Sequence, residues 1–332
     1  MKQIHFSLLL LLMSVCTPAS AQVSFGKAEK LNEGWRFLRI DSMLNVRETP
    51  DMREPGYDDS RWRRVTLPHD WGVEQPMSPD KGSCQGYLPG GIGWYRIDLP
   101  SQASYIYFEG VYNESEVYLN GHLLGCRPSG FASFLYDLTP YLQTQGKNVL
   151  AVRVNHSQEA DARGYTGSGI NRDVWLITAP KVHLALWGTA YRLTRMTGSK
   201  AEVEVDVETT DNRTDKSPQS LQAVIELSDA DGKVVAQTQT AIGSQEKKTV
   251  KLTVRNPQPW TLEHPYLYTL TTRLSNGDQS VVKAGLRTLQ FSPDKGFALN
   301  GKWMKVKGVC VHDDAGILGT AVPGEVWRRR VK

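Results

Sequence analysis

The stretch GFALNGKWMKVKGVCVHDDAG, from Gly296 to Gly316, carries the most information about the fold. Asn300 and Gly301 stand between two apolar runs, and this pair suits the positive φ angles of a two-residue hairpin turn. The following run, Lys305 to Val311, is short and rich in β-branched residues, which predicts a buried strand. A polar cluster, residues 312–314, follows that strand. Polar residues at the carboxyl end of a strand are where (β/α)₈ barrels keep their chemistry.

The chain before this stretch consists of short apolar runs separated by Gly and Pro. Asn120-Gly121 predicts another hairpin turn, and residues 148–154 alternate with period two. Because long helical periodicity is absent, we interpret residues 22–180 as a β-sandwich of the jelly-roll kind. Residues 181–290 show the same alternation and are expected to form an immunoglobulin-like sandwich. The chain as a whole is therefore expected to be mostly β.

These segments resemble glycoside hydrolase family 2, the family of β-galactosidases, β-glucuronidases and β-mannosidases. The resemblance rests on the 296–316 stretch and on four motifs in the family's order: LPHDW (67–71), GWYR (93–96), VYLNG (117–121) and GSGINRDVWL (167–176). Within the family, the pattern is most like a Bacteroidetes-type β-galactosidase. It implies that residues 22–180 are a sugar-binding-type domain, that residues 291–332 are the truncated first β/α unit of a TIM barrel, and that the activity is retaining hydrolysis of terminal β-glycosides. β-Galactosides are favoured, with β-glucuronides and β-mannosides as alternative substrates.

Hydrolysis of a glycosidic bond requires two carboxyl groups that flank it. After Phe291 the acidic residues are Asp294, Asp313, Asp314 and Glu325. The resemblance implies that both catalytic groups are glutamates on later barrel strands, beyond Lys332. We therefore expect the chain as given to lack the catalytic pair and to be inactive alone. The alternative from another class is a non-catalytic carbohydrate-binding or scaffold protein made of two sandwiches.

Two residues are candidates for substrate binding. His312 would lie at the tip of the predicted barrel strand, and a neutral imidazole can both donate to and accept from sugar hydroxyls. The alternative is a histidine whose ring is satisfied by Asp313 or Asp314. Asp173 ends a glycine-rich loop, and the resemblance implies that it contacts the sugar or a nearby monovalent cation. From the residues alone, Arg172 and Asp173 equally fit structural contacts that hold this loop.

The resemblance makes a carbohydrate the expected partner, and the charge pattern argues against nucleic acid. The net charge is only +4, and the basic residues are scattered rather than clustered in a stripe. His69, Asp70, His122 and His156 lack the spacing of metal ligands and are interpreted as structural. No cofactor is assigned, although the resemblance admits a monovalent or divalent cation and a homo-oligomer in the full-length enzyme.

The N-terminus has the pattern of a signal peptide over residues 1–21. Lys2 precedes an apolar run, residues 6–15, and Ala19-Ser20-Ala21 fits a cleavage site. The run is too short to span a bilayer, so we expect no membrane span and export to the periplasm or beyond. Lipidation at Cys16 is the alternative. The remaining cysteines, Cys84, Cys126 and Cys310, are interpreted as buried thiols, with a Cys84–Cys126 disulfide as the alternative.

The last segment is the part of the chain that we expect to be held most weakly. One strand and part of a helix cannot bury a core by themselves. Residues from about Gly308 onward should therefore be poorly held, with Val306, Val309 and Val311 either exposed or packed opportunistically. Pro323 predicts a helix start next to Glu325.

Overall fold

The structure is a computed structural model that describes residues 23–41, 46–158 and 162–332. The predicted signal peptide and Cys16 lie outside the described residues. Within them, strands dominate, and the α-helix α1 (Gly324–Val331) lies near the C-terminal end. The prediction of a mostly β chain built from sandwiches is confirmed.

The first unit is a sandwich of two antiparallel sheets. The strands that the described residues form here are β1 (Lys27–Lys30), β2 (Trp35–Arg39), β3 (Arg63–Val65), β4 (Gly91–Leu99), β5 (Tyr105–Phe108), β6 (Ser115–Leu119), β7 (His122–Arg127), β8 (Phe134–Asp137), β9 (Asn148–His156) and β10 (Val174–Thr178). The larger sheet has the order β3-β2-β4-β9-β6-β7, and the smaller sheet has the order β1-β10-β5-β8. The turn predicted at Asn120-Gly121 joins β6 to β7, with φ values of 52° and 85°.

Side chains are buried on both faces of the larger sheet. Tyr95 and Ile97 of β4 lie in the core between the sheets. Trp94, which points the other way, packs with Met52 and Trp62 of the segment that covers the outer face. Successive residues of a strand face opposite sides, so five consecutive residues of β4, from Gly93 to Ile97, are buried, and the buried Arg96 among them points to the outer face.

The second unit is also a sandwich, and its first strand follows β10 directly. Its strands are β11 (Val182–Met196), β12 (Lys200–Asp211), β13 (Ser220–Ser228), β14 (Val234–Gly243), β15 (Lys247–Arg255), β16 (Tyr268–Leu274) and β17 (Gln279–Ala284). They form sheets of order β11-β12-β15 and β14-β13-β16-β17. Alternate residues of β12 and β13 are buried in one apolar cluster between them. The immunoglobulin-like connectivity of this unit stays a prediction.

The two sandwiches share a continuous apolar core. Tyr105 and Tyr107 of β5 and Trp175 of β10 point away from the first core and join the cluster of the second unit. Polar contacts close the same joint, because the Tyr105 hydroxyl lies 2.6 Å from Nε2 of the buried His183. The second sandwich therefore covers the outer face of the smaller sheet.

The predicted hairpin at Asn300-Gly301 is present in a third small sheet. The strands are β18 (Leu289–Ser292), β19 (Gly296–Leu299) and β20 (Lys302–Met304). Leu299 pairs with Lys302 across the turn, and both turn residues have positive φ, 50° and 79°. The prediction of a type I′ geometry at this dipeptide is confirmed in its essential feature.

The strand predicted from Lys305 to Val311 is not formed. These residues are irregular, and Val306, Val309 and Val311 are 75%, 87% and 55% exposed. The sequence pattern is that of a strand, but no neighbouring strand among the described residues pairs with its backbone. A strand without hydrogen-bonded neighbours gains no ladder and has no face to bury.

The expectation that everything after Gly308 is poorly held is wrong for part of the segment. Thr320 and Val322 are buried, at 5% and 8% exposure. The helix α1 begins after Pro323, which confirms the predicted helix start. We call residues 305–332 the tail; its first part is exposed, and its second part is anchored on the first sandwich.

Limited trypsin digestion should detect this difference within the tail. Lys305 and Lys307 lie in the exposed irregular part, so cleavage after them is expected before any cleavage in the two sandwiches. Mass spectrometry of the fragments would identify the first cuts. Initial cleavage at sites within residues 46–300 would contradict this description of the tail.

The cysteines do not follow the sequence interpretation. In the described residues Cys84, Cys126 and Cys310 form no disulfide, and Cys126 and Cys310 are exposed rather than buried. The buried-thiol interpretation is therefore wrong for these two. Among the helices that the structure describes, none has the length and apolar character needed to cross a membrane.

Candidate functional site

A glycine-rich loop, residues 164–171, forms the edge of the first sandwich that faces the tail. Gly169 exchanges both backbone hydrogen bonds with Tyr112, at 2.8 and 2.9 Å. Its φ is 127°, and a Cβ at this position would lie 2.3 Å from the Tyr95 hydroxyl. A Cβ on Gly167 would lie 1.9 Å from Oγ1 of Thr320. A side chain at Gly169 would therefore clash with the core and one at Gly167 with the tail, so this loop follows a tight path that only glycine allows.

The carboxylate of Asp70 holds this loop in place through several hydrogen bonds. Its carboxylate is buried at 3% exposure, and Oδ1 accepts hydrogen bonds from the backbone N–H groups of Gly72, at 3.0 Å, and Ser168, at 2.9 Å. The Tyr165 hydroxyl donates to the same carboxylate at 2.9 Å. Burial and the neighbouring Asp70 carboxylate raise the pKa of Tyr165 well above its usual value. The hydroxyl therefore stays protonated and keeps its role as a donor.

His312 lies beside the glycine-rich loop. It is exposed, and a Cβ added to Gly164 would lie 3.4 Å from its Nδ1 atom. Together with neighbouring loop and tail residues it lines a shallow pocket whose walls include Phe131, Tyr165, Thr166, Cys310 and Asp313. The pocket offers an aromatic wall, hydroxyl groups and an imidazole, which are the groups that fix polar ligands in protein sites.

Asp313 does not satisfy the His312 ring as the alternative interpretation proposed. Its carboxylate pairs with Arg172 of the first sandwich at 3.2 Å. Both side chains are partly exposed, so this pair contributes little energy by itself. It does, however, connect the residue after His312 to the sandwich.

Asp173 lies in a different place from His312. It lines a separate cleft with Lys30, Asn32, Glu109 and residues of α1. Its carboxylate accepts a hydrogen bond from Asn32 Nδ2 at 2.8 Å and pairs with Lys30 Nζ at 2.5 Å. The two predicted binding residues thus line different pockets, and Asp173 makes contacts of the structural kind that the sequence also allowed, while its contact with sugar stays a prediction.

The surroundings of Asp173 do not suit the cation that the resemblance implied. Lys30 pairs with its carboxylate, and Arg172, the residue before it, lines the same cleft. Glu109 and Glu325 also line this cleft, but Lys30, Arg172 and Arg328 balance the three carboxylates, and hard cations need several oxygen ligands without such competing positive charges. Over the described ranges no group of three or more His, Cys, Asp and Glu side chains is placed to hold a metal.

His69 belongs to a structural network under the loop. Its Nδ1 lies 2.7 Å from the buried Tyr95 hydroxyl, and its Nε2 lies 3.2 Å from Oε1 of Glu74. Arg63 donates hydrogen bonds to both oxygens of the Glu74 carboxylate, from Nη1 to Oε1 at 3.0 Å and from Nη2 to Oε2 at 2.5 Å. Burial opposes ionisation of Glu74, but the hydrogen bonds from His69 and Arg63 outweigh it and lower its pKa from 4.5 to about 2.

This network should make the first sandwich less stable in acid. The unfolded Glu74 binds its proton near pH 4.5 and the folded one near pH 2, so the unfolded state holds more protons in this interval. The contribution is therefore complete above about pH 4.5 and is lost as the pH falls towards 2. Urea unfolding at several pH values should show a weaker acid dependence for Glu74→Gln and Arg63→Gln than for the wild type. If the free energy of unfolding changes with pH in the same way in all three proteins, Glu74 does not cause the acid sensitivity.

Sequence reasoning interpreted Asp70 as structural but did not identify its partners, and it missed the aromatic wall of the pocket. Asp70 has a local signal, because an Asp that precedes Gly by two positions often accepts the N–H of that Gly in an Asx-turn. Phe131 also had a signal, as an apolar residue in a stretch of Gly and Ser. Neither signal reveals the long-range partner, which is 250 residues away for the Asp70–Thr320 contact.

Comparison with known proteins agrees with this architecture. Residues 28–180 match the sugar binding domain of glycosyl hydrolases family 2, and residues 191–287 match a second segment of glycosyl hydrolases family 2. The chain belongs to this family, as its motifs predicted.

Three similar proteins come from species of Bacteroides. A β-galactosidase from Bacteroides ovatus is 39% identical over 330 aligned residues, which cover 95% of this chain and 38% of that protein. The crystal structure of a β-glycosidase from Bacteroides vulgatus superposes with a TM-score of 0.82 at 34% identity, covering 92% of this chain and 40% of that one. For the Bacteroides uniformis β-glucuronidase the TM-score is 0.78 at 26% identity, with coverages of 92% and 38%. The chain thus spans about two fifths of the length of these relatives.

Proposed function

We propose that this chain supplies the sugar-recognition part of a retaining β-glycosidase, with terminal β-galactosides as the preferred substrate. The observation that carries the proposal is the position of His312 at an exposed pocket beside the glycine-rich loop. A neutral imidazole there can donate to one sugar hydroxyl and accept from another. The names of the relatives support the class of reaction, since they are a β-galactosidase, a β-glycosidase and a β-glucuronidase. β-Glucuronides and β-mannosides are the competing substrates.

The described residues do not supply the two carboxyl groups that the reaction needs. Asp313 is the acidic residue that lines the pocket, and its carboxylate is paired with Arg172. Retention requires two carboxyl groups about 5 Å apart across the scissile bond, one as nucleophile and one as acid and base. We propose that this chain binds and orients the sugar and that it does not cleave the bond without further residues.

The N-terminal segment, residues 1–21, supports the further proposal that the protein is exported to the periplasm.

Activity measurements on two proteins would test this function. One is the 332-residue chain, and the other is the same chain followed by the remaining residues of the Bacteroides ovatus relative. We expect no turnover of aryl β-galactosides by the first protein and turnover with retained configuration by the second. The aryl β-glucuronide and β-mannoside serve as competing substrates. Tight galactoside binding by the first protein, together with a folded but inactive second protein, would favour the non-catalytic alternative.

In the longer protein, the contribution of His312 to kcat/KM can be measured separately from that of the other residues. Loss of one or two hydrogen bonds to substrate hydroxyls costs about 1–3 kcal/mol. His312→Ala should therefore lower kcat/KM by roughly 10- to 100-fold. His264→Ala is a matched control, because that exposed histidine lies in the second sandwich. Equal kcat/KM values for the two variants would exclude the proposed contact.

A further inference from the structure

The anchored part of the tail meets the first sandwich at one buried carboxylate. Oδ2 of Asp70 accepts hydrogen bonds from the Thr320 backbone N–H at 2.9 Å and from its hydroxyl at 3.2 Å. Its other oxygen holds the N–H of Ser168, and the Tyr165 hydroxyl donates to both oxygens. Asp70, Tyr165, Ser168 and Thr320 are called the Asp70 junction below.

The junction is closely packed as well as hydrogen-bonded. A Cβ added to Gly319 would lie 2.2 Å from Oδ2 of Asp70, and one added to Gly167 would lie 2.8 Å from the same atom. Two segments thus approach the carboxylate from opposite directions at positions where only glycine fits. Asn171 adds a further contact, because its Nδ2 donates to the Thr320 hydroxyl at 3.3 Å.

The same contacts determine where His312 lies. Residues 315–319 form a compact turn closed by the hydrogen bond from Ala315 N–H to the Gly319 carbonyl, at 2.9 Å. Thr320 follows this turn directly, and two residues, Asp313 and Asp314, separate His312 from its start. The residues before the turn, 305–311, have no regular structure and cannot hold the histidine from that side. The position of His312 therefore depends on the anchor after the turn, on the partly exposed Asp313–Arg172 pair, and on the hydrogen bond that Arg330 of α1 donates to the His312 carbonyl at 3.4 Å.

We propose that Asp70 is a positioning residue that locks the tail to the glycine-rich loop and thereby sets the place of His312 at the sugar pocket. The proposal rests on the proposed function for the meaning of that pocket, but the locking itself does not require catalysis. Asp70 does not line the pocket, and it acts through Thr320 and Tyr165. An asparagine cannot replace it, because one of its two acceptor atoms becomes a donor that would face N–H and O–H groups.

Hydrogen exchange on the 332-residue chain would test the locking. In Asp70→Asn, peptides from residues 313–322 and 162–168 should exchange at least about 10-fold faster, since the hydrogen bonds of both segments are lost. Peptides from β4 and β9 should exchange as in the wild type. Asp80→Asn, at an exposed aspartate of the same sandwich, is the control and should change neither region.

Two further variants keep the test informative if Asp70→Asn folds poorly. Gly319→Ala disturbs the junction from the tail side, where the sandwich core is not involved, and it should give the same local loss of protection. Thr320→Ser keeps both donors and should behave as the wild type. Unchanged exchange of residues 313–322 in Asp70→Asn and Gly319→Ala would overturn the proposal. Equal loss of protection in β4 and β9 would also overturn it, because Asp70 would then only stabilise the fold.

The effect on His312 has its own spectroscopic measurement. The imidazole carbon–proton NMR signal of His312, assigned from its absence in His312→Gln, should shift in Asp70→Asn and Gly319→Ala. It should stay in place in Asp80→Asn and Thr320→Ser. An unmoved signal in the first two variants would refute the positioning of His312. These results are independent of turnover, so failure of the positioning and failure of the proposed glycosidase function are distinguishable.

Discussion

Replacing Asp59 by alanine should lower the free energy of unfolding of the first sandwich by about 3–5 kcal/mol, because it leaves a buried guanidinium without its counter-charge. Arg96 is fully buried on the outer face of the larger sheet, and its Nε donates to Asp59 Oδ2 at 2.7 Å. Its two other nitrogens donate to the carbonyl groups of Met52, at 2.5 Å, and Glu54, at 3.0 Å. Urea unfolding followed by tryptophan fluorescence would measure the change.

The cause of this effect is desolvation rather than the attraction between the two charges. Burial disfavours the ionised carboxylate, yet the guanidinium groups of Arg96 and Arg36 hold the pKa of Asp59 below its usual value. Once the carboxylate is removed, the Arg96 charge remains in the interior, where an unpaired ion is strongly disfavoured. Removing both partners in Asp59→Ala/Arg96→Met should therefore cost less than the sum of the two single changes.

A matched control uses another aspartate of the same segment. Asp51→Ala changes an exposed side chain and should alter the free energy of unfolding by no more than about 0.5 kcal/mol. If Asp59→Ala lowers the free energy of unfolding no more than this control does, the buried Arg96 charge does not depend on its ion pair with Asp59. Additive effects in the double variant would likewise contradict the argument.

The features that the sequence predicted correctly are those that a few neighbouring residues determine. The dipeptides Asn120-Gly121 and Asn300-Gly301 form hairpin turns because positive φ is a local property of these residues. Pro323 starts a helix for the same kind of reason. The alternating runs predicted the strands, because the burial of every second residue can be read from the sequence without knowing which strands pair.

The features that the sequence did not predict depend on contacts between distant residues. Residues 305–311 have the composition of a strand, but strand formation also needs neighbours that the described chain does not place beside them. Asp173 and His312 are separated in space because Lys30 and Asn32, at the start of the chain, hold Asp173 in another cleft. Asp70 gained its role from Thr320, and no spacing pattern connects two residues so far apart.

A second buried aspartate of this kind holds the two sandwiches together. Asp278 follows the Asn276-Gly277 turn between β16 and β17 and is 3% exposed. Its Oδ1 accepts the N–H of Gly26, just before β1, and its Oδ2 accepts the N–H of Leu184 in β11, both at 2.7 Å. Because Gly26 belongs to the first sandwich and Leu184 to the second, one carboxylate connects three segments at the joint.

Asp278→Ala should lower the free energy of unfolding by about 2–5 kcal/mol, since each buried N–H group left without an acceptor costs about 1–3 kcal/mol. The loss should be concentrated at the joint, so hydrogen exchange of residues 23–30 and 182–186 should accelerate more than exchange in β13. Differential scanning calorimetry and hydrogen exchange together would measure both effects.

The control for this change is Asp231→Ala, in the exposed Asp-Gly turn of the same sandwich, which should stay within about 0.5 kcal/mol of the wild type. Asp278→Asn retains one acceptor oxygen and should fall between the two, because only one of the two N–H groups then lacks a partner. A stability of Asp278→Ala equal to that of Asp231→Ala would mean that the shared apolar core of Tyr105, Tyr107 and Trp175 suffices to hold the sandwiches together. The carboxylate would then satisfy the backbone locally without fixing the arrangement of the two units.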